Sequence, residues 1–283
     1  MPFPSQDSNR ELDITAARSH FRFGENWESF AGGIDEARIS EAIRGLNKLV
    51  PSISGMSFLD IGCGSGLSML AALRCGASAV HGIDLDTTSA ATARALLSRH
   101  AAGQSWDVEN KSVFDLQPRQ GQFDIVYSWG VLHHTGDMWR AVEQAAAMVA
   151  PNGLLVLALY HRTPFCGLWR REKRLYAFSS PRTQRLLRAA YKAAFFAGQL
   201  ARGRSPARYI ARYETNRGMD WHHDVHDWLG GYPYESTRKA EVEHFLKRYG
   251  FGVTRAYEVS PPVFGLFGTG CDEYVAAGVT KVA

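Results

Sequence analysis

One segment restricts this chain more than any other, the run Phe58-Leu-Asp-Ile-Gly-Cys-Gly-Ser-Gly66, an apolar stretch ending in an acid and followed at once by three alternate glycines. A buried strand leading into a turn without side chains lets backbone approach a small ligand closely. The glycines at 62, 64 and 66 are spaced G-x-G-x-G, and a dinucleotide fingerprint would need glycine where Leu67 stands. Asp60 adds a carboxylate where a pyrophosphate would be repelled. The ligand expected here is therefore a nucleoside carrying cationic groups.

The pattern around this run repeats. Apolar helical spacing over 36–49 predicts a leading helix, and strands are expected at 57–61, 79–83, 107–113, 123–128 and 154–159. Helices are expected between them at 67–75, 87–100 and 138–149, the last with Asp137 as N-cap. Such alternation predicts an α/β fold, a doubly wound and mostly parallel sheet with helices on both faces. The alternation stops after Tyr160 and returns with a helix at 239–249 and strands near 253–259 and 273–279. The chain accordingly divides into an N-terminal helical cap (1–50), a nucleoside-binding core (51–160), a helical basic insertion (161–236) and a C-terminal helix with two strands (237–283).

Charge separates along the same boundary. Between Tyr160 and Asp220 there are fourteen Lys or Arg against three acids, leaving 18 basic and 25 acidic residues elsewhere, so the insertion carries about +11 and the remainder about −7. An anionic partner or a solvated basic face both account for this. Within the insertion, Arg182, Arg185, Arg188 and Lys192 fall at helical spacing opposite Leu186, Leu187, Ala190, Ala194 and Phe195. Such a helix can rest on an anionic membrane, receive an anionic substrate or roof the site, and the roof is the reading adopted here. Four scattered cysteines give neither a zinc pattern nor a disulfide framework, and no apolar run approaches a bilayer span. A cytoplasmic location is the resulting expectation.

In an open parallel sheet, ligands sit beyond the carboxyl ends of the strands. Those ends offer Asp60, Gly62, Cys63, Gly64 and Gly66 from the first strand, Asp84 and Leu85 from the second, Phe114 and Asp115 from the third, and Trp129 and His133 from the fourth. Asp84 lies 18 residues beyond Gly66, near the spacing at which an acid receives ribose hydroxyls, although a helix N-cap is its bland alternative. Asp115 can take an exocyclic amine, with Phe114 against the ring. S-adenosylmethionine is a nucleoside of the required charge.

With Gly82-Ile-Asp-Leu-Asp86, Asp115-Leu116 and Phe123-Asp-Ile-Val-Tyr-Ser-Trp-Gly-Val-Leu-His-His134 added to the glycine run, the chain resembles the class I S-adenosylmethionine-dependent methyltransferases, over roughly residues 58–160. The resemblance implies a seven-stranded sheet with an antiparallel last strand. It gives Asp60 and the glycines to the methionine end of the cofactor, Asp84 to ribose, Asp115 to adenine and Leu85 to the adenine face. The segments 21–27 and 217–235 resemble a bacterial subgroup acting on small molecules. The expected activity is methyl transfer to O or N of a small acceptor such as a natural product, quinone precursor or glycan unit.

A methyl acceptor of high pKa must lose a proton, which a placed His or carboxylate assists. His133 is one candidate base, with a loop-holding role as its alternative. The run Asp220-Trp-His-His-Asp-Val-His-Asp-Trp228 supplies His222, His223 and Asp224 as others. Gly230, Gly231 and Pro233 predict a loop there, acting as a lid walled by Trp228, Tyr232 and Tyr234, or as a structural clasp, or less readily as a metal site. RNA or protein methylation is the alternative function, and a non-catalytic S-adenosylmethionine-binding protein a third. Against nucleic acid, the fourth strand does not end in an N-P-P-Y-type motif, and aromatics interleaved with the basic residues for base stacking are sparse in the insertion beyond Tyr209 and Tyr213.

Overall fold

The computed structural model describes residues 24–117, 122–217, 221–266 and 268–278. Phe21, Arg22, Phe23, Gly218, Met219, Asp220 and Val279, all used in the sequence reading, lie outside the described residues. The described elements run α1 (Gly24–Ala31), α2 (Glu36–Leu49), β1 (Ser57–Ile61), α3 (Leu67–Arg74), β2 (Ala79–Asp84), α4 (Thr87–His100), β3 (Trp106–Asn110), β4 (Phe123–Trp129), α5 (Met138–Ala147) and β5 (Val149–Tyr160). They continue through α6 (Cys166–Ala177), α7 (Pro181–Ala201), α8 (Pro206–Arg217), α9 (Trp221–Gly230), α10 (Lys239–Arg248), β6 (Phe251–Tyr257) and β7 (Cys271–Gly278).

Seven strands form one sheet in the order β3-β2-β1-β4-β5-β7-β6, with β7 antiparallel to both neighbours. This is the α/β, doubly wound architecture expected from the alternation. Side chains of a strand alternate between faces, and the core follows that period. Phe58, Ile125, Tyr127 and Val156 pack with α2, α3 and α4 on one side, while Leu59, Ile61, Val126, Leu155 and Leu157 pack with α5 and α10 on the other. The strand order reverses between β1 and β4, where Asp60 pairs in register with Tyr127. That crevice is the topological switch point.

Three local expectations are corrected. β3 stops at Asn110, because the Asn110 amide turns to donate to the Asp84 and Leu85 carbonyls and Ser112 then caps a 3₁₀ turn over Val113–Asp115. The stretch predicted as loop after Asp220 is helical from Trp221 to Gly230: Trp221, Val225 and Leu229, four apart, are buried on one face, and the two glycines end the helix instead of preventing it.

The division of α7 into basic and apolar faces also differs. Arg188 points inward and donates to the Tyr176 hydroxyl and His226 Nδ1 at 2.6 and 2.9 Å, whereas Leu186 is 71% exposed. Leu187 and Phe195 of the expected apolar face, with Tyr191 and Phe196, join Trp169, Tyr176, Trp221 and Tyr234 in a third core, which the sheet enters through Tyr160. No helix of the described residues is long and apolar enough to cross a membrane.

Candidate active site

A cavity opens at the switch point, between the carboxyl ends of the strands and helices α1, α2 and α7 to α9. Its inner half is built by β1 and β2. Gly62 and Gly64 take φ of +78° and +54°, a region that favours glycine, and the turn donates the Gly62 and Cys63 N–H groups to the Ile83 carbonyl. A Cβ at Gly62 would meet Val131 at 2.5 Å, and one at Gly64 would meet the Trp27 indole at 2.9 Å, so α1 lays that ring on the turn. Gly66 is not on the cavity wall. Its missing Cβ leaves room for the Ala93 backbone at 3.0 Å, which lets α3 pack on α4.

The acids divide by environment. Asp60 is 3% exposed and its Oδ2 has no hydrogen-bond partner among the described residues. Burial, with Asp84's charge added, pushes its carboxyl up to about 8. Asp84 accepts the Gly64 and Asp86 N–H groups at 2.9 Å each. Burial raises it to about 6, and those two backbone donors limit the rise. Asp84 is not a helix cap, since Asp86 takes that place by accepting from Thr88 and Ser89. A buried carboxylate oxygen without a donor, beside a second acid and a glycine turn, fits a cationic nucleoside.

The other expected positions are distributed as follows. Cys63, Leu85, Phe114 and Trp129 line the cavity, with the Arg140 guanidinium over the Phe114 ring and the Trp129 indole donating to Glu273. Asp115 is exposed in the 3₁₀ turn and stands off the wall.

The outer half of the cavity is aromatic. Tyr160, Tyr191, Phe195, Tyr213, Trp221 and Trp228 line it together with His133 and Asp224. His133 is fully buried, its ring centroid 3.8 Å from that of Tyr160, and its Nδ1 accepts the Tyr160 N–H at 3.3 Å. That bond leaves the proton on Nε2, which has no partner among the described residues. Burial, then the charges of His134 and Lys173, hold its pKa well below the ordinary value. The neutral ring therefore carries its hydrogen on Nε2.

Asp224 accepts the Tyr213 hydroxyl. The backbone of His222 and His223 lies in α9, and their side chains lie outside the described part. Of the expected lid aromatics, Trp228 lines the cavity, Tyr234 is buried in the third core behind Tyr160, and Tyr232 packs on Phe178. Tyr160 was not anticipated. The strand-end rule, carried on to the fifth strand, would have found it.

Among known proteins, the family model described as "Methyltransferase domain" matches residues 34–255, well over half of the chain. The chain belongs to the methyltransferase-domain family. Within that family, it is 34% identical over 115 residues to a ubiquinone biosynthesis O-methyltransferase of Rhodopseudomonas palustris (strain TIE-1), covering 41% of this chain and 44% of the relative. It is 36% identical over 109 residues to the protein of the same name from Chelativorans sp. (strain BNC1), covering 38% of this chain and 42% of that one. The matches thus span less than half the length of these curated relatives.

The methyltransferase-domain fold recurs in the magnesium protoporphyrin IX methyltransferase of Synechocystis PCC 6803 solved with bound S-adenosylmethionine. The TM-score is 0.56 at 14% identity, covering 96% of this chain and 100% of that one. An O-methyltransferase family protein from Burkholderia thailandensis aligns with a TM-score of 0.51 at 14% identity, covering 84% of this chain and 55% of that one.

Proposed function

We propose that this methyltransferase domain uses S-adenosylmethionine to methylate an oxygen of a small, planar acceptor. The observation that carries the reading is the buried, partnerless Oδ2 of Asp60 at the glycine turn, with an aromatic compartment directly beyond it. The named relatives, which are O-methyltransferases acting in ubiquinone biosynthesis, agree with an oxygen acceptor.

In this reading Asp60 receives the ammonium group of the cofactor beside the Gly62–Gly64 backbone. The carboxylate of Asp84 keeps lone pairs for ribose hydroxyls, and Leu85 and Phe114 flank the base. The bound cofactor supplies a sulfonium methyl that is already activated. What remains for the protein is alignment and exclusion of water, which together account for much of the rate in such reactions. Trp27 covers the cofactor half, and α7, α8 and α9 cover the acceptor half with aromatic rings. Asp224, on the wall and already bonded to Tyr213, takes the acceptor's proton.

Methyl-labelled S-adenosylmethionine, incubated with the chain and a metabolite extract, tests this through mass spectrometry of the products. A labelled small molecule, one CH₂ heavier than its precursor, is expected. Label in RNA or protein would move the function to those substrates, and absence of calorimetric binding of S-adenosylhomocysteine would remove it altogether. Asp224→Asn is expected to lower kcat by about 10²-fold or more with S-adenosylhomocysteine affinity unchanged.

A further inference from the structure

Helix α7 has two apolar faces. The inner one sends Tyr191 and Phe195 onto the wall of the acceptor compartment. The opposite one carries Leu186, Ala189, Ala190, Ala193, Ala197 and Leu200 at helical spacing, all exposed, with Leu186 and Leu200 at 71% and 63%. A surface helix ordinarily turns charged or polar side chains to water. Between Leu186 and Ala201 the only charged residues are Arg188, which donates to Tyr176 and His226, and Lys192, whose ammonium stands 5.8 Å from the centre of the buried Trp221 ring. The outer face therefore runs uncharged for about 21 Å, and apolar faces of that extent mark interaction surfaces. The preceding helix extends it. On α6, Leu168, Leu175 and Phe178 are exposed opposite the buried Trp169, Lys173 and Tyr176. Tyr176 of α6 and Arg188 of α7 both meet His226 of α9, so the two helices form one layer over α9 and turn these faces away from it.

We propose that the outer face of α6 and α7 docks on an anionic lipid bilayer, with α7 lying in the interface, its leucines among the acyl chains and its flanking arginines at the phosphates. Exposed Arg182 and Arg185 precede the apolar stretch, and exposed Arg202 and Arg204 follow it. From Lys173 to Arg212 there are ten Lys or Arg and no acid. That charge decides among the occupants. A two-fold interface pairs a patch with itself, so a second copy of this chain would set the same basic helices against each other. RNA would meet the arginines, but the α7 surface between them is aliphatic and offers no ring on which a base can stack. An anionic bilayer supplies phosphates to the arginines and hydrocarbon to the leucines at once. α7 is not apolar enough to cross a bilayer, and a helix with apolar and basic groups arranged in this way lies along its surface. The proposal stands apart from the methyltransferase reading, because none of these outward side chains lines the cavity.

Flotation of the full chain with vesicles tests this, comparing phosphatidylcholine alone with phosphatidylcholine containing about 30% phosphatidylglycerol. Binding to the mixed vesicles is expected to be about tenfold or more tighter than to the neutral ones and to weaken as salt rises. Leu186→Glu with Leu200→Glu should weaken it about tenfold or more, and Arg182→Gln and Arg185→Gln about fivefold each. All four side chains are exposed, so an unchanged thermal midpoint shows that these variants remain folded. Ala193→Trp, at the centre of the face, should be quenched by brominated acyl chains beyond the quenching of the parent. Equal binding to both vesicles, no binding to either, indifference to the leucine changes, or no added quenching in Ala193→Trp overturns the proposal. A concentration-dependent dimer that the leucine changes dissolve would assign the face to a second copy, and mixed RNA bound as tightly as the mixed vesicles would assign it to nucleic acid. Either result overturns the proposal as well.

Discussion

Replacement of Asp60 by asparagine probes the cofactor half of the site through a proton. With its carboxyl pushed from 3.8 to about 8, Asp60 is protonated in about nine molecules of ten at pH 7. The unfolded chain has already released that proton, so between pH 4 and 8 the folded state holds more protons and its stability falls as pH rises. Across the whole window the loss is on the order of 5 kcal/mol. Asparagine keeps the shape without the charge. Asp60→Asn is therefore expected to flatten the pH dependence of urea unfolding and to be several kcal/mol more stable than the parent at pH 8 and above. A cationic ligand reverses the balance, because its ammonium favours the ionised carboxylate. Binding of S-adenosylhomocysteine at pH 7 is expected to expel about 0.9 proton from Asp60 and only about 0.1 from Asp84, which at about 6 is mostly ionised already. Calorimetry in phosphate and in Tris, whose ionisation enthalpies differ, reads that number directly. It should fall to about 0.1 at pH 9 and, in Asp60→Asn, at pH 7 as well, with affinity about 10- to 100-fold weaker. Tight binding at pH 7 with a buffer-independent enthalpy would refute the reasoning.

Three glycines separate backbone strain from steric conflict. Gly62→Ala carries both a positive φ and a 2.5 Å clash with Val131 and should lose about 2–5 kcal/mol in urea unfolding. Gly250→Ala, at φ +80° in open space, should lose only about 1–2 kcal/mol, and Gly45→Ala, helical and open, should gain about 0.5–1 kcal/mol. Equal losses at 62 and 250 would show that Val131 yields freely. Lys173 is fully buried, and burial holds its amine well below the ordinary lysine value against the opposing charge of Glu172. The folded state therefore loses stability as pH falls below the ordinary lysine range, and Lys173→Met should gain relative to the parent as pH falls, with that gain vanishing at alkaline pH. An advantage independent of pH, followed by thermal unfolding, would contradict a buried titrating amine.

Much of the site could be read in advance because its signals are local. The run from Phe58 to Gly66 carries strand, acid and turn within nine residues, and Asp84 follows at the end of the next strand. Backbone geometry links such positions, so spacing alone placed Asp60, Asp84, Leu85 and Phe114 at one crevice. The insertion was less legible. Glycine and proline after Leu229 were read as loop, whereas the i, i+4, i+8 burial of Trp221, Val225 and Leu229 holds a helix. Arg188 was grouped with the basic face of its helix because no local pattern announces Tyr176 and His226 as its partners, 12 and 38 residues away.

Composition and periodicity by themselves determined the α/β sheet, the glycine turn and the acids at the strand ends, since each depends on residues close in the chain. Only the tertiary structure decided which groups are left without partners. The orphan Oδ2 of Asp60, the tautomer that the Tyr160 backbone imposes on His133, and the unpaired indole of Trp228 are properties of burial and of contacts across the fold. Whether a polar atom is satisfied depends on everything packed around it, and that is written in no single segment of the chain.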